Sequence, residues 1–193
     1  MCSSDLLVQP KRAALEPFVD QIRTLRPGLL FVWSYSMLLP KALIDLAPLG
    51  TVNVHTGLLP EYRGGHVLNW ALINGERETG VTLAYLDEGI DSGPVIAEKR
   101  FPITADDDAA SVSEKLRATG SELIREWWPA ICSGIAPRMA QDESRARYHR
   151  MRTAEDGRID WTRSNVEVHN LVRALVAPWP GAFFDVAGTR VVV

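Results

Sequence analysis

The sequence predicts a doubly wound α/β fold with a mostly parallel sheet. Apolar runs of strand length alternate with helix-spaced apolar residues through residue 128, the pattern expected when helices connect the strands of one sheet. The run 29–33 is apolar without interruption, which is typical of a strand buried on both faces. With 193 residues, 46% of them hydrophobic, the chain is long enough for one good core and a small appendage.

Prolines and apolar spacing divide the first 60 residues into strands and helices. The predicted strands are 5–10, 29–33 and 51–54. The predicted helices are 15–25, which stops at Pro27–Gly28, and 40–46, which Pro48 closes. Sheets of this class bind ligands beyond the carboxyl ends of their strands, so the residues that end the strand at 51–54 are candidates for a site.

The middle of the chain is predicted to add a helix, two strands and a long helix. The first of these helices ends at Asn74–Gly75. The predicted strands are 80–86 and 94–103. Ser111 and Glu114 match a capping box at the start of the long helix, and Pro129 is expected to stop it.

The last third of the chain changes in character. Residues 134–163 are polar and irregular and are predicted to form a linker. Ser164 and Glu167 then form a second capping box, and a terminal hairpin is predicted with its turn at Ala187–Gly188. We therefore expect a core at 1–133, the linker, and the start of a C-terminal subdomain at 164–193.

Composition and charge argue against several classes of protein. The formal net charge of -3 and the pI near 5.8 give no general attraction to nucleic acid or to an anionic membrane. Cys2 and Cys132 match no zinc spacing, and no apolar run approaches the length of a membrane span. We expect a cytoplasmic protein with no membrane partner. A short stretch holds four arginines, for which a solvated face is the simpler interpretation: Arg145, Arg147, Arg150 and Arg152.

Three polar residues indicate chemistry at one edge of the sheet. Asn53 and His55 lie two positions apart at the end of a strand, so both side chains project from the same face. Asp91 follows the next strand, in a turn flanked by Gly89 and Gly93, from which it can meet that face. An amide, an imidazole and a carboxylate placed in this way suit acyl transfer through a tetrahedral intermediate.

Each of the three residues has a different task in that chemistry. The Asn53 amide can donate to the developing oxyanion, a contact worth about 3 kcal/mol when it is preorganised. His55 can donate to the same oxygen or protonate the leaving nitrogen. Asp91 beside the imidazole would favour its charged form. Taken alone, an Asn-x-His pair at a strand end is more often a hydrogen-bonded surface pair. The surrounding glycines, which leave room for a ligand, favour the functional interpretation.

His66 and Arg63 support a weaker hypothesis. They flank a pair of glycines near the start of a helix and could together hold an anionic acceptor. Solvated loop residues are an equally good interpretation of both.

Five ordered motifs together resemble the folate-dependent formyltransferases. That family includes methionyl-tRNA formyltransferase, the amino-sugar formyltransferases and, more distantly, glycinamide ribonucleotide formyltransferase. The motifs are NVHTGLLPEYRGG, NGERETGVT, LDEGIDSGPVI, DGRIDW and PWPGAFF. The likeness covers nearly the whole chain. It implies a Rossmann-like core followed by the start of a small C-terminal β subdomain of OB type.

The resemblance implies 10-formyltetrahydrofolate as the formyl donor, and it implies no metal ion. It assigns transition-state stabilisation to Asn53, proton donation to His55, and support of the protonated histidine to Asp91. It also places the donor against three segments, largely through backbone atoms. The residues of these segments are Met37, Leu38, Leu39, Thr56, Gly57, Leu58, Leu59, Asp87, Glu88, Gly89 and Ile90.

The sequence departs from the family pattern at three places. Gly57 stands where many members have serine, which removes a hydroxyl and is expected to loosen the loop. The strand at 5–10 corresponds to the third strand region of the family, and the chain stops where relatives continue into a barrel. We therefore expect a fragment, or a chain whose exposed sheet edge pairs with a partner, including a second copy of itself as a homo-oligomer.

The amine acceptor is the least determined feature. A nucleotide-linked amino sugar is favoured, because YSMLLP, LNWALINGE and DSGPVIAEKR are closer to that branch of the family and the acidic balance gives no pull toward tRNA. Initiator methionyl-tRNA is the alternative, since the enzymes that act on it share every catalytic residue. A formylation domain in peptide synthesis and a non-catalytic folate- or nucleotide-binding module are further alternatives. No G-x-G-x-x-G segment supports a Rossmann oxidoreductase.

Overall fold

The structure, a computed structural model, describes residues 16–35 and 37–193. The strand predicted at 5–10 lies outside these residues. The helices are α1 (Glu16–Leu25), α2 (Lys41–Ile44), α3 (Val67–Ile73), α4 (Ala109–Cys132) and α5 (Asn165–Arg173). The strands are β1 (Leu30–Trp33), β2 (Thr51–His55), β3 (Arg63–Gly64), β4 (Glu78–Tyr85), β5 (Val95–Pro102), β6 (Tyr148–His149), β7 (Phe183–Val186) and β8 (Thr189–Val192).

Four of the strands form one mixed sheet in the order β1-β2-β4-β5. β1 and β2 are parallel, whereas β2 with β4 and β4 with β5 are antiparallel. The short helix α2 connects the parallel pair. The predicted α/β class is therefore confirmed, but among the described strands the sheet is mixed, with one parallel and two antiparallel pairs, and not mostly parallel. The carboxyl end of β2, at His55, lies opposite Thr82 of β4.

The core lies between the sheet and the helices α3 and α4. Apolar side chains of β2 and β4 are completely removed from water there, which is the main source of stability in such a fold. Its deeply buried members include Val52, Val54, Val81, Leu83, Leu72, Val112, Leu116 and Leu123. At Gly120, α4 passes so close to the sheet that a β-carbon would stand 3.0 Å from the Trp33 ring.

A second, smaller apolar cluster holds α1 against α2. Val19 and Leu43 are buried at its centre, and Ile22 and Leu39 pack against them. Leu39 belongs to a segment predicted to contact the donor, so this cluster fixes one end of that segment.

β1 is less buried than its sequence predicts. Phe31 is 36% exposed, because β1 is the edge of the sheet in the described part of the chain and pairs there only with β2. Its ring packs edge-on against Trp128 of α4, with 5.8 Å between the ring centroids. The prediction of a strand buried on both faces is therefore wrong for β1.

Both ends of α4 differ from the prediction. Its N-cap is Asp108, whose carboxylate accepts from the Ser111 N–H at 2.8 Å while the Ser111 hydroxyl accepts from the Asp108 N–H at 3.1 Å. Ser111 is thus inside the first turn and does not cap the helix. Pro129 lies inside the helix, which continues to Cys132. Because Ile131 is 1% exposed in the core, burial of the last turn outweighs the hydrogen bond that proline cannot donate.

The second capping box and the terminal hairpin are confirmed. The Glu167 carboxylate accepts from the Ser164 N–H at 3.0 Å, and the Ser164 hydroxyl accepts from the Glu167 N–H at 3.3 Å. Ala187 and Gly188 have φ values of 48° and 80°, as a tight hairpin turn requires. The polar stretch before α5 contains β6, which pairs in parallel with β3. Within the described ranges, no helix combines the length and the apolar character needed to cross a membrane.

Candidate active site

β2 carries two of the predicted site residues to its carboxyl end. Alternation along the strand places Asn53 and His55 on one face, about 7 Å apart. His55 is 6% exposed and Asn53 is half-buried. Within residues 16–35 and 37–193, no hydrogen bond engages the Asn53 side chain. Its amide is therefore available to a ligand.

The turn after β4 brings Asp91 to the imidazole of His55. Asp91 Oδ1 lies 3.5 Å from His55 Nδ1. Asp91 Oδ2 accepts from the backbone N–H of Gly64 at 2.8 Å. Asp91 has a φ of 51°, in the left-handed region that costs a non-glycine residue about 1 kcal/mol. Backbone strain of this kind persists mainly where function requires it.

The His55 ring is held at both of its nitrogens. Nε2 lies 2.5 Å from the backbone carbonyl oxygen of Tyr62, while Nδ1 faces Asp91. A carbonyl oxygen can only accept, so this contact requires a hydrogen on Nε2. The ring is therefore fixed between two acceptors, with a transferable proton at a defined position.

A buried arginine ties the Asp91 turn to the segment that follows α4. Arg63 is 0% exposed and donates twice to Gln141 Oε1, at 3.1 and 2.8 Å, and also to Glu143. Gln141 Nε2 in turn donates to the carbonyl oxygens of Asp91 and Gly93, at 2.8 and 2.7 Å. This network supports the Asp91 turn through its backbone.

The same network shows that the hypothesis for Arg63 is wrong. The Arg63 guanidinium is enclosed, and Gln141, Glu143 and the Tyr148 hydroxyl take its donors. It cannot reach an anionic acceptor. His66 is joined instead to the segment beyond β6, because its Nδ1 accepts from the backbone N–H of Arg152 at 3.0 Å.

Two parts of the site had no usable signal in the sequence. Gln141 lies 50 residues beyond Asp91, in a polar stretch where no pattern distinguishes it. The Tyr62 carbonyl belongs to the backbone and carries no residue signature. Their contribution became visible only from the way in which the chain folds.

The three segments predicted to contact the donor lie next to the site residues. Residues 56–59 follow His55 directly, and residues 87–90 precede Asp91. The Lys41 ammonium, just after the segment 37–39, forms an ion pair with Glu88 at 2.7 Å. The Lys41 ammonium donates hydrogen bonds to the carboxylates of Glu88 and Asp45, which hold the pKa of Lys41 above its ordinary value.

The side chains of these segments differ in what they offer a ligand. Met37, Leu38 and Ile90 are 46%, 65% and 45% exposed. Large apolar side chains left in water beside a polar site suit a ligand with a flat aromatic part. Leu58 and Leu59 are buried in the protein, so only their backbone is available.

The remaining residues of the segments are fastened to the protein. The Gly57 carbonyl accepts from the Thr82 hydroxyl at 2.8 Å, so the loop is anchored although it lacks the serine hydroxyl. A β-carbon at Gly57 would stand 3.0 Å from His55 Nε2. Asp87 Oδ1 accepts from the Gly89 N–H at 3.0 Å. Thr56, directly after His55, is half-buried.

The site as built can perform acid–base and electrostatic chemistry. An unengaged amide can stabilise an oxyanion, and a fixed imidazole can deliver a proton. Within the described part of the chain, no three His, Cys, Asp or Glu side chains are grouped as metal ligands would be. These features suit acyl transfer to a nucleophile.

The mixed sheet and the Asn53, His55 and Asp91 side chains at its edge define an α/β protein equipped for acyl transfer. A family model for formyl transferases matches residues 2–127, and a model for the formyl transferase C-terminal domain matches residues 152–193. The chain belongs to the formyl transferase family.

Curated relatives are similar to most of this chain. The methionyl-tRNA formyltransferase of Trichlorobacter lovleyi is 41% identical over 93% of this chain, and that of Pelobacter propionicus is 43% identical over 91%. The chain spans 57% and 55% of the length of these two relatives.

Two solved structures have the same fold. A sugar N-formyltransferase-like protein from Mycobacterium tuberculosis superposes with a TM-score of 0.80 at 28% identity, covering 93% of this chain and 78% of that one. HypX from Aquifex aeolicus in complex with tetrahydrofolic acid gives a TM-score of 0.77 at 26% identity, covering 91% of this chain and 30% of that one.

Proposed function

We propose that the chain transfers a formyl group from 10-formyltetrahydrofolate to a primary amine, and that the amine is that of methionyl-tRNA. The observation that carries the proposal is the approach of Asp91 to His55, at 3.5 Å, beside the unengaged amide of Asn53. The donor supplies a formyl carbon attached to a nitrogen that can leave once it is protonated.

Each site residue has one step in this reaction. Asn53 donates to the formyl oxygen as the acceptor amine adds to the formyl carbon and the oxygen gains negative charge. His55 gives a proton to the departing nitrogen as the old carbon–nitrogen bond breaks, and delivery from Nε2 requires that hydrogen to leave the Tyr62 carbonyl oxygen. The proton that the acceptor amine loses restores the ring. Asp91 accepts from Nδ1 and keeps the ring in this orientation.

The donor is proposed to bind across the three segments beside the site. Met37, Leu38 and Ile90 offer exposed apolar surface for its aromatic part. The backbone of residues 56–59 offers polar groups next to the reacting atoms. The structure of HypX with tetrahydrofolic acid, a neighbour of the same fold, supports a folate in this role.

Methionyl-tRNA is the better supported acceptor. Relatives that act on it are 41% and 43% identical to this chain, whereas the sugar N-formyltransferase-like neighbour is 28% identical. These comparisons favour methionyl-tRNA over the nucleotide-linked amino sugar that the sequence motifs had favoured. The amino sugar remains the second candidate because that neighbour covers 93% of this chain.

A panel of amines offered with one donor tests both parts of the proposal. Methionyl-tRNA, a UDP-linked amino sugar and a dTDP-linked amino sugar are supplied separately with 10-formyltetrahydrofolate, and formylated product is measured. We expect transfer to methionyl-tRNA, and we expect Asn53→Ala and His55→Ala each to lower kcat by about 100-fold or more.

The matched control is His169→Ala, which removes an exposed imidazole outside the site. It should leave the rate unchanged. Binding of the folate without transfer to any amine would select the non-catalytic binding module instead. Transfer that survives His55→Ala would remove the proposed proton donor.

A further inference from the structure

Arg152 lies near the active site without an acidic partner of its own. Its Nε is enclosed by protein and has no hydrogen-bond partner among the described residues. Burial lowers the pKa of its guanidinium, as expected for a cation partly removed from water. A partly desolvated cation without a hydrogen-bonded counter-charge is costly, so an anion from outside the chain would stabilise it.

The acidic residue that acts on Arg152 is Asp156, and its carboxylate is already hydrogen-bonded to other residues. Asp156 acts on Arg152 only through its charge. It accepts from the Arg150 guanidinium at 2.7 Å and from the Thr153 N–H at 2.6 Å. Arg150 adds positive charge beside Arg152. Asp156 and Arg150 therefore act in opposite directions on Arg152, and Asp156, which acts through its charge alone, accepts no hydrogen bond from the Arg152 guanidinium among the described residues.

His66 supplies a second donor at the same place. Its Nδ1 accepts from the Arg152 backbone N–H at 3.0 Å, so the hydrogen of the neutral ring is on Nε2. Burial, together with the charge of Arg152, lowers the pKa of His66 and favours this neutral ring. Within the described ranges, no hydrogen bond engages Nε2. His66 also has a φ of 52°, a strained conformation for a non-glycine residue.

The backbone places these two donors close to the catalytic carboxylate. The Gly64 N–H donates to Asp91 at 2.8 Å, and His66 follows two residues later. The Gly65 N–H donates to the His149 carbonyl at 2.9 Å. A β-carbon on Gly65 would overlap Met151 at 2.2 Å. The strip 149–152 therefore lies directly against the loop that holds Asp91.

We propose that Arg152 and His66 form an anion subsite that holds a phosphate group of the amine acceptor. The inference rests on the proposed function, in that both candidate acceptors carry phosphate: methionyl-tRNA in its backbone and the amino sugar in its nucleotide. The planar guanidinium fork suits phosphate oxygens, and the His66 Nε2–H adds one neutral donor.

Direct binding of inorganic pyrophosphate tests the subsite without any turnover. The His66 ring is followed by NMR during the titration, with its signal assigned from His66→Gln. We expect a saturable shift in the wild type, its loss in Arg152→Gln, and its retention in Arg152→Lys, which keeps the charge. The matched control is Arg147→Gln, which removes the same charge from an exposed residue just before the strip 149–152 and should keep the shift.

Kinetics then identify the molecule that supplies the phosphate. We expect Arg152→Gln to raise KM for the acceptor about 10-fold, with kcat and KM for the donor unchanged, whereas Arg147→Gln has a smaller effect. The acceptor whose KM rises, methionyl-tRNA or the nucleotide-linked amino sugar, is the source of the phosphate. A rise in KM for the donor instead would mean that a folate carboxylate binds there, and would overturn the proposal.

The two proposals fail in distinguishable ways. If no amine is formylated but pyrophosphate still shifts the His66 signal in the wild type and not in Arg152→Gln, the proposed function fails and the subsite stands. If formyl transfer proceeds while the wild-type signal does not respond to pyrophosphate, the subsite fails. Equal loss of the shift in Arg152→Gln and Arg147→Gln would also overturn it, because surface charge alone would then explain the binding.

Discussion

His55 is held by two different kinds of group, a side-chain carboxylate and a backbone carbonyl, which come from separate parts of the chain. Asp91 approaches Nδ1 from the turn after β4, and the Tyr62 carbonyl meets Nε2 from the loop after β2. Because Asp91 touches the ring and the Gly64 backbone, we expect the carboxylate to act on the reaction only through His55. In the proposed reaction the role of Asp91 is positioning, whereas the imidazole transfers the proton.

Gly64 allows the hydrogen bond between its own N–H and the Asp91 carboxylate to form. Its φ is 99°, and a β-carbon there would stand 2.2 Å from the His149 carbonyl oxygen. Only glycine can combine that backbone conformation with so close an approach. Its N–H is thereby free to donate to Asp91.

For individual residues, the sequence predicted which side chains share one face of a strand, but it did not predict contacts between residues far apart in the sequence. Strand alternation placed Asn53 and His55 on one face, because the period of two follows from local geometry alone. The partners of Arg63 and His66 could not be predicted, since Gln141 and Arg152 lie far away in sequence. The two arginines differ in their partners: the buried Arg63 donates to Gln141, Glu143 and Tyr148, whereas Arg152 Nε has no hydrogen-bond partner among the described residues.

The segment after α4 supports the catalytic turn although its sequence is polar and irregular. Met139 pairs with Val95 at the start of β5, and β6 pairs with β3. The Tyr62 and His149 rings stack with 4.6 Å between centroids. Between these attachments, Gln141 donates to the carbonyls of Asp91 and Gly93.

Gln141→Glu isolates the two donors that hold the Asp91 turn. The carboxylate keeps an acceptor for Arg63, but it cannot donate to the two carbonyl oxygens and repels them. We expect kcat for formyl transfer to fall about 10-fold, because the turn loses its position, while the protein stays folded. Kinetics and circular dichroism of the same preparation measure both.

The control for Gln141→Glu is Gln21→Glu, which adds the same charge at an exposed position of α1. It should leave kcat unchanged. A Gln141→Glu chain with the wild-type kcat would show that the turn holds Asp91 without this support.

The helix ends show how local signals compete. Asp108 caps α4 in place of the predicted Ser111–Glu114 box, because its carboxylate accepts from the Ser111 N–H at 2.8 Å. Three consecutive aspartates precede the helix, and sequence alone does not rank them as caps. At the other end, packing carried the helix past Pro129. The Ser164 cap of α5 was predicted correctly.

Asp107 joins three parts of the molecule at the junction of β5, α4 and α5. Its carboxylate accepts from the Lys115 ammonium at 2.7 and 2.6 Å and from the Thr104 N–H at 2.8 Å. Arg173 of α5 donates to the carbonyl oxygens of Thr104 and Asp107, at 2.9 and 3.0 Å. Burial raises the pKa of Asp107, but Lys115 and these hydrogen bonds outweigh it and hold the pKa well below its ordinary value.

Because of this junction, the stability of the fold depends on pH and falls in acid. The native pKa of Asp107 lies below the ordinary value of 3.8, so its contribution is fully present above that pH and is lost as the pH falls further. We expect the wild-type Tm to fall steeply below about pH 4. Asp107→Asn should have a lower Tm at pH 7 and a shallower fall in acid.

Asp106→Asn, which neutralises the exposed neighbouring carboxylate, is the control and should follow the wild-type curve. Thermal melts followed by circular dichroism from pH 7 to pH 3 provide the comparison. If Asp107→Asn ran parallel to the wild type over this range, the ion pair with Lys115 would have no part in acid stability.

For the molecule as a whole, the sequence predicted the order of the helices and strands. It predicted less well which strands pair with each other and in which direction. Apolar runs and prolines located the strands and helices of the sheet, because these follow from periodicity. The orientation of β4 and β5, antiparallel to their neighbours, and the edge position of β1 depend on contacts between distant segments. The acceptor depends on surfaces that motifs describe poorly, and there the comparisons favour methionyl-tRNA.

The coupling between His55 and Asp91 is tested most directly by single-turnover formyl transfer to methionyl-tRNA in four chains: wild type, His55→Gln, Asp91→Asn and the double variant. We predict that each single variant slows transfer, and that the double variant is no slower than His55→Gln, because the carboxylate acts through the ring. Rate losses that multiply in the double variant, or a His55→Gln chain as fast as the wild type, would contradict the proposed machinery.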